Sequence, residues 1–231
     1  MAFRPWGRIA AAIFAMVLVS VALIWSIDPV LRGSPGAALL WRNALPVFLI
    51  MMLIYGLSGR LLLTLVVSSA FAWILFDINA IKELNLNTPI LPGDFVLWHQ
   101  LLHNIGFFAN YAGRGLFLVL APLAFGAVLW MVWRLECRWW RPHRMIRMAW
   151  VMLSLIAIVT LCRGDSVWRN AYADESLPGF QLWDPIASVK QVGVMAELVR
   201  MSQEKQAAIP KADQSLISEF AARHAEDLKT R

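Results

Sequence analysis

A chain of 231 residues that is 59% hydrophobic and only 16% charged, with a mean hydropathy of +0.60, is not an ordinary soluble domain, which is nearer half apolar and a quarter charged. The excess falls in blocks long enough to cross a bilayer. A formal net charge of +6 and a pI of about 9.8 would suggest nucleic acid in a soluble protein. Here the surplus is mainly arginine beside apolar blocks, the positive-inside pattern, and no nucleic-acid partner is expected.

The blocks predict an all-α, polytopic membrane protein with five spans. The first covers 9–27 and follows Arg4 and Arg8. It is long for a signal peptide and ends in Trp25-Ser26-Ile27-Asp28-Pro29 with no small-x-small cleavage site, so it is expected to stay as an anchor. Asp28-Pro29 and Gly33-Ser34-Pro35-Gly36 punctuate its end. The second span covers 38–57 and contains Pro46; the third covers 60–80. Only Ser58-Gly59-Arg60 lies between them, which predicts a tight antiparallel hairpin.

Residues 81–114 have a different character. Lys82, Glu83, Asn85, Asn87 and Thr88 are polar, and Pro89 and Pro92 forbid a continuous helix. Gly93-Asp94 then leads into an aromatic stretch with Trp98, His99 and His103, too short and too polar to span. It predicts an interfacial segment over 89–112 at the outer leaflet.

The fourth and fifth spans cover 115–134 and 146–163. Their connection carries Arg134, Arg138, Arg141, Arg144 and Arg147 with Trp139 and Trp140. Arginine is retained in the cytoplasm and tryptophan favours the headgroup level, so this loop sets the topology. The N-terminus is then cytoplasmic and 164–231 extracytoplasmic. In that tail, Trp183-Asp184-Pro185 reads as a helix start, with Asp as N-cap and Pro at the first helical position. Ile186, Val189, Val192, Ala196 and Val199 follow at helical spacing. A linker with Pro210 precedes a second amphipathic helix over 215–228. Such helices must bury their apolar stripes on the membrane domain, on lipid or on another domain.

Candidate chemistry is sparse. His99 and His103 share a helical face near Asp94, which admits a metal or phosphate site. Gln100 stands where a zincin would carry Glu, so the simpler reading is polar groups on an interfacial helix, and no metal site is expected. Asp77 and Asn79 close the third span, where ionisable residues are functional candidates. Arg163, Asp165 and Arg169 follow the fifth span, and the two arginines can meet lipid phosphates. Asp94, Trp98, His99, His103, Arg163 and Arg169 thus form the lipid-headgroup or interface set. No catalytic constellation and no cofactor motif is present. Cys137 and Cys162 fall at opposite faces, about 30 Å apart, beyond the reach of a disulfide, which needs Cα atoms within about 7 Å.

Three segments carry a family resemblance. One is the hairpin with Leu57-Ser-Gly-Arg60, whose second helix ends in Asp77-Ile-Asn79-Ala-Ile-Lys82. Another is Thr88-Pro-Ile-Leu-Pro92-Gly-Asp94, and the last is Trp183-Asp184-Pro185 running to Arg200 and then Ile209-Pro210. In this order they resemble the N-terminal membrane region of the lipoteichoic-acid-synthase-like family, which includes the phosphoglycerol transferases of periplasmic glucans. The likeness covers most of the chain and is most specific over Pro89–Asp94. This chain has Leu86-Asn87 where the family often has Arg-Gly. The resemblance implies a bacterial inner-membrane anchor for a sulfatase-like domain, in cis or in trans. That domain, with a threonine nucleophile and a divalent metal such as manganese, would begin about where this chain ends. The resemblance further implies transfer of a phosphoglycerol or phosphoethanolamine headgroup from a phospholipid. Two non-enzymatic alternatives remain: a scaffold docking a periplasmic partner through 184–228, and a transporter, disfavoured by the few polar residues in the spans and the lack of a repeat.

Overall fold

A computed structural model describes residues 5–33, 36–95, 115–137, 144–172 and 185–204. Among them every regular element is a helix: α1 (Pro5–Ile27), α2 (Pro29–Arg32), α3 (Ala37–Ser58), α4 (Leu61–Leu86), α5 (Gly115–Leu135), α6 (Arg144–Arg163), α7 (Ser166–Tyr172), α8 (Pro185–Val192) and α9 (Val194–Glu204). Four stretches are long and apolar enough to cross a membrane: Gly7–Ile27, Ala37–Ser58, Leu61–Leu86 and Arg144–Arg163. At 1.5 Å per residue, about 20 residues match a hydrocarbon core of about 30 Å. Helix α5 is 21 residues long, and its stretch Leu123–Leu135 is also apolar.

Local signals place the helix ends. Asp28 caps α2, its carboxylate accepting from Val30 N, with Pro29 at the first position. Gly59, left-handed at φ 65°, closes α3 by donating its N–H to Tyr55 O. Helix α4 runs on past the apolar block predicted for its span and stops at Asn87, left-handed at φ 52°. The extra turns, Ile81–Leu86, contain the polar residues that ended the apolar block; they remain helical because the next proline is Pro89.

Helix α3 is the hub and packs against α1, α4, α6 and α9. The core is built from Met16 and Ile24 of α1, Val47, Met51 and Tyr55 of α3, and Ala72, Leu75 and Phe76 of α4, closed at one end by Val189, Val194 and Met195. Large apolar side chains such as Phe14, Leu62, Trp130, Met148, Leu153 and Ile156 stand exposed around the outside. A soluble monomer rarely carries so extensive an apolar exterior, whereas a membrane protein needs one.

The two ends of the bundle differ chemically. At one end Arg147 Nε donates to Gly56 O at 2.9 Å, and Arg60 lies over the Trp133 ring at 4.1 Å. There Glu136 also accepts from Leu62 N at 2.7 Å and Leu63 N at 2.9 Å, capping α4 from outside that helix. At the other end sit the close of α1, the start of α3 and helices α7–α9.

Candidate functional site

The polar centre of the molecule lies where α8 and α9 meet the bundle. Asp28 follows α1 and is fully buried. Its Oδ1 accepts from Val30 N at 3.0 Å and its Oδ2 from Val194 N at 3.1 Å. Asn43, in the second turn of α3, is also fully buried. Its Nδ2 donates to Leu39 O at 3.0 Å and to Val192 O at 2.8 Å, and its Oδ1 accepts from Ala196 N at 2.9 Å. These bonds satisfy backbone groups freed where α8 ends and α9 begins.

Gly193 makes that break possible. Its φ is +86°, and an added Cβ would lie 2.7 Å from Asn43 Oδ1 and 2.8 Å from Asp28 Oδ2. Only glycine meets both demands at low cost. The helical spacing from Ile186 to Val199 predicts one continuous helix. The structure corrects this to two helices hinged at Gly193, because the side-chain pattern of a helix continues across a break in backbone conformation. Burial pushes the Asp28 carboxyl above the ordinary carboxylate range, against the opposing pull of the Val194 and Val30 N–H groups.

A second set of contacts ties the same region to α3 and α6. Tyr172 Oη donates to Arg42 O at 2.8 Å, and burial raises its phenol well above the usual value, so it remains a neutral donor. Trp168 Nε1 donates to Thr160 Oγ1 at 3.0 Å. Gln203 Nε2 donates to Leu161 O at 2.8 Å and packs on Gly164, where a Cβ would stand 2.9 Å from Gln203 Cγ. Buried Glu197 lies 3.8 Å from Arg200, within the same helix. Of the apolar stripe expected of the tail, Val189, Val192, Ala196 and Val199 are buried, whereas Ile186 is half-buried.

Beside this junction opens a cleft of about 430 Å³ between the end of α1, α2, the C-terminal half of α4 and α8. Arg32, Trp73, Asp77, Glu83 and Lys190 supply its polar and aromatic lining. Lys190 and Glu83 pair across it at 3.2 Å. Arg32 donates to Ser26 O. Asp77 is exposed and forms no ion pair or hydrogen bond among the described residues.

The other residues singled out by sequence distribute as follows. Asp94 is held by Lys82 Nζ and by Leu91 N at 2.7 Å, and buried Asn79 accepts from Ile90 N at 2.8 Å. Together they fix the turn after α4. Arg163 and Arg169 are exposed on either side of Gly164 and do not line the cleft. Arg134 stacks near Trp130 at 5.4 Å, and exposed Arg144 stands at the start of α6, beside Arg147. Trp98, His99, His103, Arg138 and Arg141, with Asp184 and the helix expected over 215–228, lie outside the described residues. Asp28 and Asn43 escaped the sequence reading as site residues. Their available signals were an Asp-Pro cap and a lone amide inside an apolar span.

Chemically, these groups hold backbone in place. Among the described residues no group of three or more His, Cys, Asp or Glu side chains gathers in a way that would hold a metal, and Cys137 and Cys162 are free thiols. No protein-family model, no curated protein and no solved structure matches this chain.

Proposed function

We propose that this chain is the membrane-anchor module of a phosphoglycerol- or phosphoethanolamine-transferase-like enzyme. In this reading it crosses the bacterial inner membrane five times, with α5 as the fourth crossing. Its N-terminus is cytoplasmic and residues 164–231 are periplasmic. A sulfatase-like catalytic domain, in cis or in trans, would bring the nucleophile and the divalent metal; no ligand set for that metal is gathered among the described residues here.

The observation that carries the reading is the docking of α8 and α9 through Asp28, Asn43 and Gly193. A catalytic domain working on lipid headgroups needs a fixed height above the bilayer, and a connector hydrogen-bonded to the bundle sets that height. The arginines Arg134, Arg144 and Arg147 cluster at the opposite end, which supports the orientation through the positive-inside rule. The scaffold alternative is weakened because the apolar faces of α8 and α9 are already spent on the bundle.

The test is headgroup transfer in the host cell. Deleting the gene should abolish passage of radiolabelled glycerol phosphate or ethanolamine phosphate from phospholipid to an envelope acceptor. Wild-type protein should restore it, and Gly193→Val should not. Unchanged transfer in the deletion strain would sink the proposal. Topology is read separately, with a membrane-impermeant maleimide on Gln191→Cys in a Cys137→Ser, Cys162→Ser background. Labelling only after lysis would put the connector in the cytoplasm and end the anchor reading.

A further inference from the structure

We infer that Tyr172 is a releasable clasp on a hinge in α3. Its hydroxyl holds the carbonyl that Pro46 leaves without a helical donor, and so ties the bend of the hub helix to the position of α7. The inference rests on the geometry of α3 and does not depend on the transferase reading.

The gap in α3 is chemical. Pro46 lies inside the helix, and Arg42 O, four residues earlier, would ordinarily accept from the N–H of residue 46. Proline has no N–H, and its ring crowds that carbonyl. Pro46 also belongs to the membrane-crossing stretch Ala37–Ser58, where a freed backbone carbonyl must find a donor in a neighbouring element. Arg42 is only 8% exposed, which keeps bulk water from serving it. Tyr172 Oη, 130 residues along the chain, donates to Arg42 O at 2.8 Å. The Tyr172 ring belongs to a buried cluster with Leu45 and Leu49, one on each side of Pro46.

Anchoring divides α3 at the same point. Before Pro46, Arg42 O is held by Tyr172 of α7, and Asn43 bonds to Val192 O of α8 and Ala196 N of α9. After Pro46, Met52 O accepts from Trp150 and Gly56 O from Arg147, both of α6. Sharp bends in helices concentrate at proline. A missing rung with different anchors on its two sides is a hinge, and Tyr172 is the group that closes it. When α7 moves away, Arg42 O loses its substitute donor and the outer part of α3 gains freedom to tilt.

The experiment combines a distance measurement with a double-mutant cycle on the full chain in detergent. Spin labels are placed on Ala38→Cys and Leu57→Cys, both exposed and on opposite sides of Pro46, in a Cys137→Ser, Cys162→Ser background. Tyr172→Phe keeps the ring in its apolar cluster and removes only the hydroxyl. It should broaden the distance distribution between the labels. Pro46→Ala restores an N–H for Arg42 O, so it should narrow the distribution, and adding Tyr172→Phe to it should change nothing. Stability should follow the same pattern. With Pro46 present, Tyr172→Phe should lower the ratio of folded to unfolded protein by about fivefold, the scale of one net hydrogen bond. In the Pro46→Ala background the loss should stay within about twofold, because the two changes act on one carbonyl. An unchanged distribution in Tyr172→Phe, or an equal loss of stability with and without Pro46, would reduce Tyr172 to an ordinary packing contact and overturn the inference.

Discussion

Asn43 and Gly193 meet so closely that a Cβ on Gly193 would stand 2.7 Å from Asn43 Oδ1. Gly193→Ala therefore faces a positive φ and a collision with two polar atoms that are themselves hydrogen-bonded. Strain of this kind costs about 1–3 kcal/mol, and the collision adds to it. The expected result is a lower melting temperature in detergent and faster proteolysis of the connector. Asn43→Leu, of similar size, leaves the Val192 carbonyl and the Ala196 N–H without a partner. That should cost about 1–3 kcal/mol for each buried group. A Gly193→Ala, Asn43→Leu double variant should lose less than the sum, because the two changes break one junction.

Asp28 gives the junction a pH dependence of defined sign. Its carboxyl is raised above the ordinary value of 3.8 by burial, so the docked form holds a proton more tightly than a solvated Asp28 would. Linkage then requires docking to gain strength below the ordinary carboxylate range and to lose that gain as pH rises through the elevated value. Melting curves between pH 7.5 and pH 4 should show this increment in wild type, and the Asp28→Asn variant should lack it. Arg32, Asp77, Glu83 and Lys190 line the adjacent cleft and are common to both proteins, so the difference isolates Asp28. A flat difference would refute the assignment.

Gly56→Ala tests the packing of α3 on α6. An added Cβ would lie 2.6 Å from Trp150 Cδ1, and Trp150 is anchored by its indole N–H to Met52 O at 3.0 Å. The ring cannot swing away without breaking that bond. Overpacking of this sort costs about 1–3 kcal/mol, read as a fall in melting temperature. Gly126→Ala, with nothing near its Cβ, should be silent and serves as the control.

Glu136→Ala removes the acceptor for Leu62 N and Leu63 N. Loss of a helix cap costs about 1 kcal/mol. Because the cap comes from beyond α5, the same change should loosen α5 from α4. Hydrogen exchange should speed up in the first turn of α4 and in residues 130–135, with the Asn43 junction unaffected. Exchange confined to α4 would mean that Glu136 caps without holding α5.

The membrane character of the chain was legible because it is written in composition. A block such as Leu61–Phe76 has no other place to go than lipid or a core. The hinge at Gly193 was not legible in the same way. Val189, Val192, Ala196 and Val199 keep helical spacing on both sides of it, so periodicity passes over the break. Asp28 looked like a terminator because Pro29 follows, and its Oδ2 finds a use only when Val194 arrives from far along the chain. Asn43 stood out by polarity alone, with a partner that no local pattern could name. Asp94 was visible as a polar residue in the Pro-Gly turn that follows the third span, but its engagement by Lys82 depends on α4 continuing as a helix through residue 82. Local chemistry is readable from sequence, whereas the pairing of distant polar groups requires the fold.

The junction also has a history in time. Asn43 Nδ2 bonds to Val192 O across 149 residues, and Asp28 to Val194 N across 166. During synthesis both polar side chains are in place long before their partners leave the ribosome. Contacts this distant in sequence form late and slow the completion of folding. Until then an amide and a carboxyl stand without their final partners. The molecule is tied between Asp28 and Asn43 near its start and residues 192–196 far along the chain, so this junction closes only after α9 has been made.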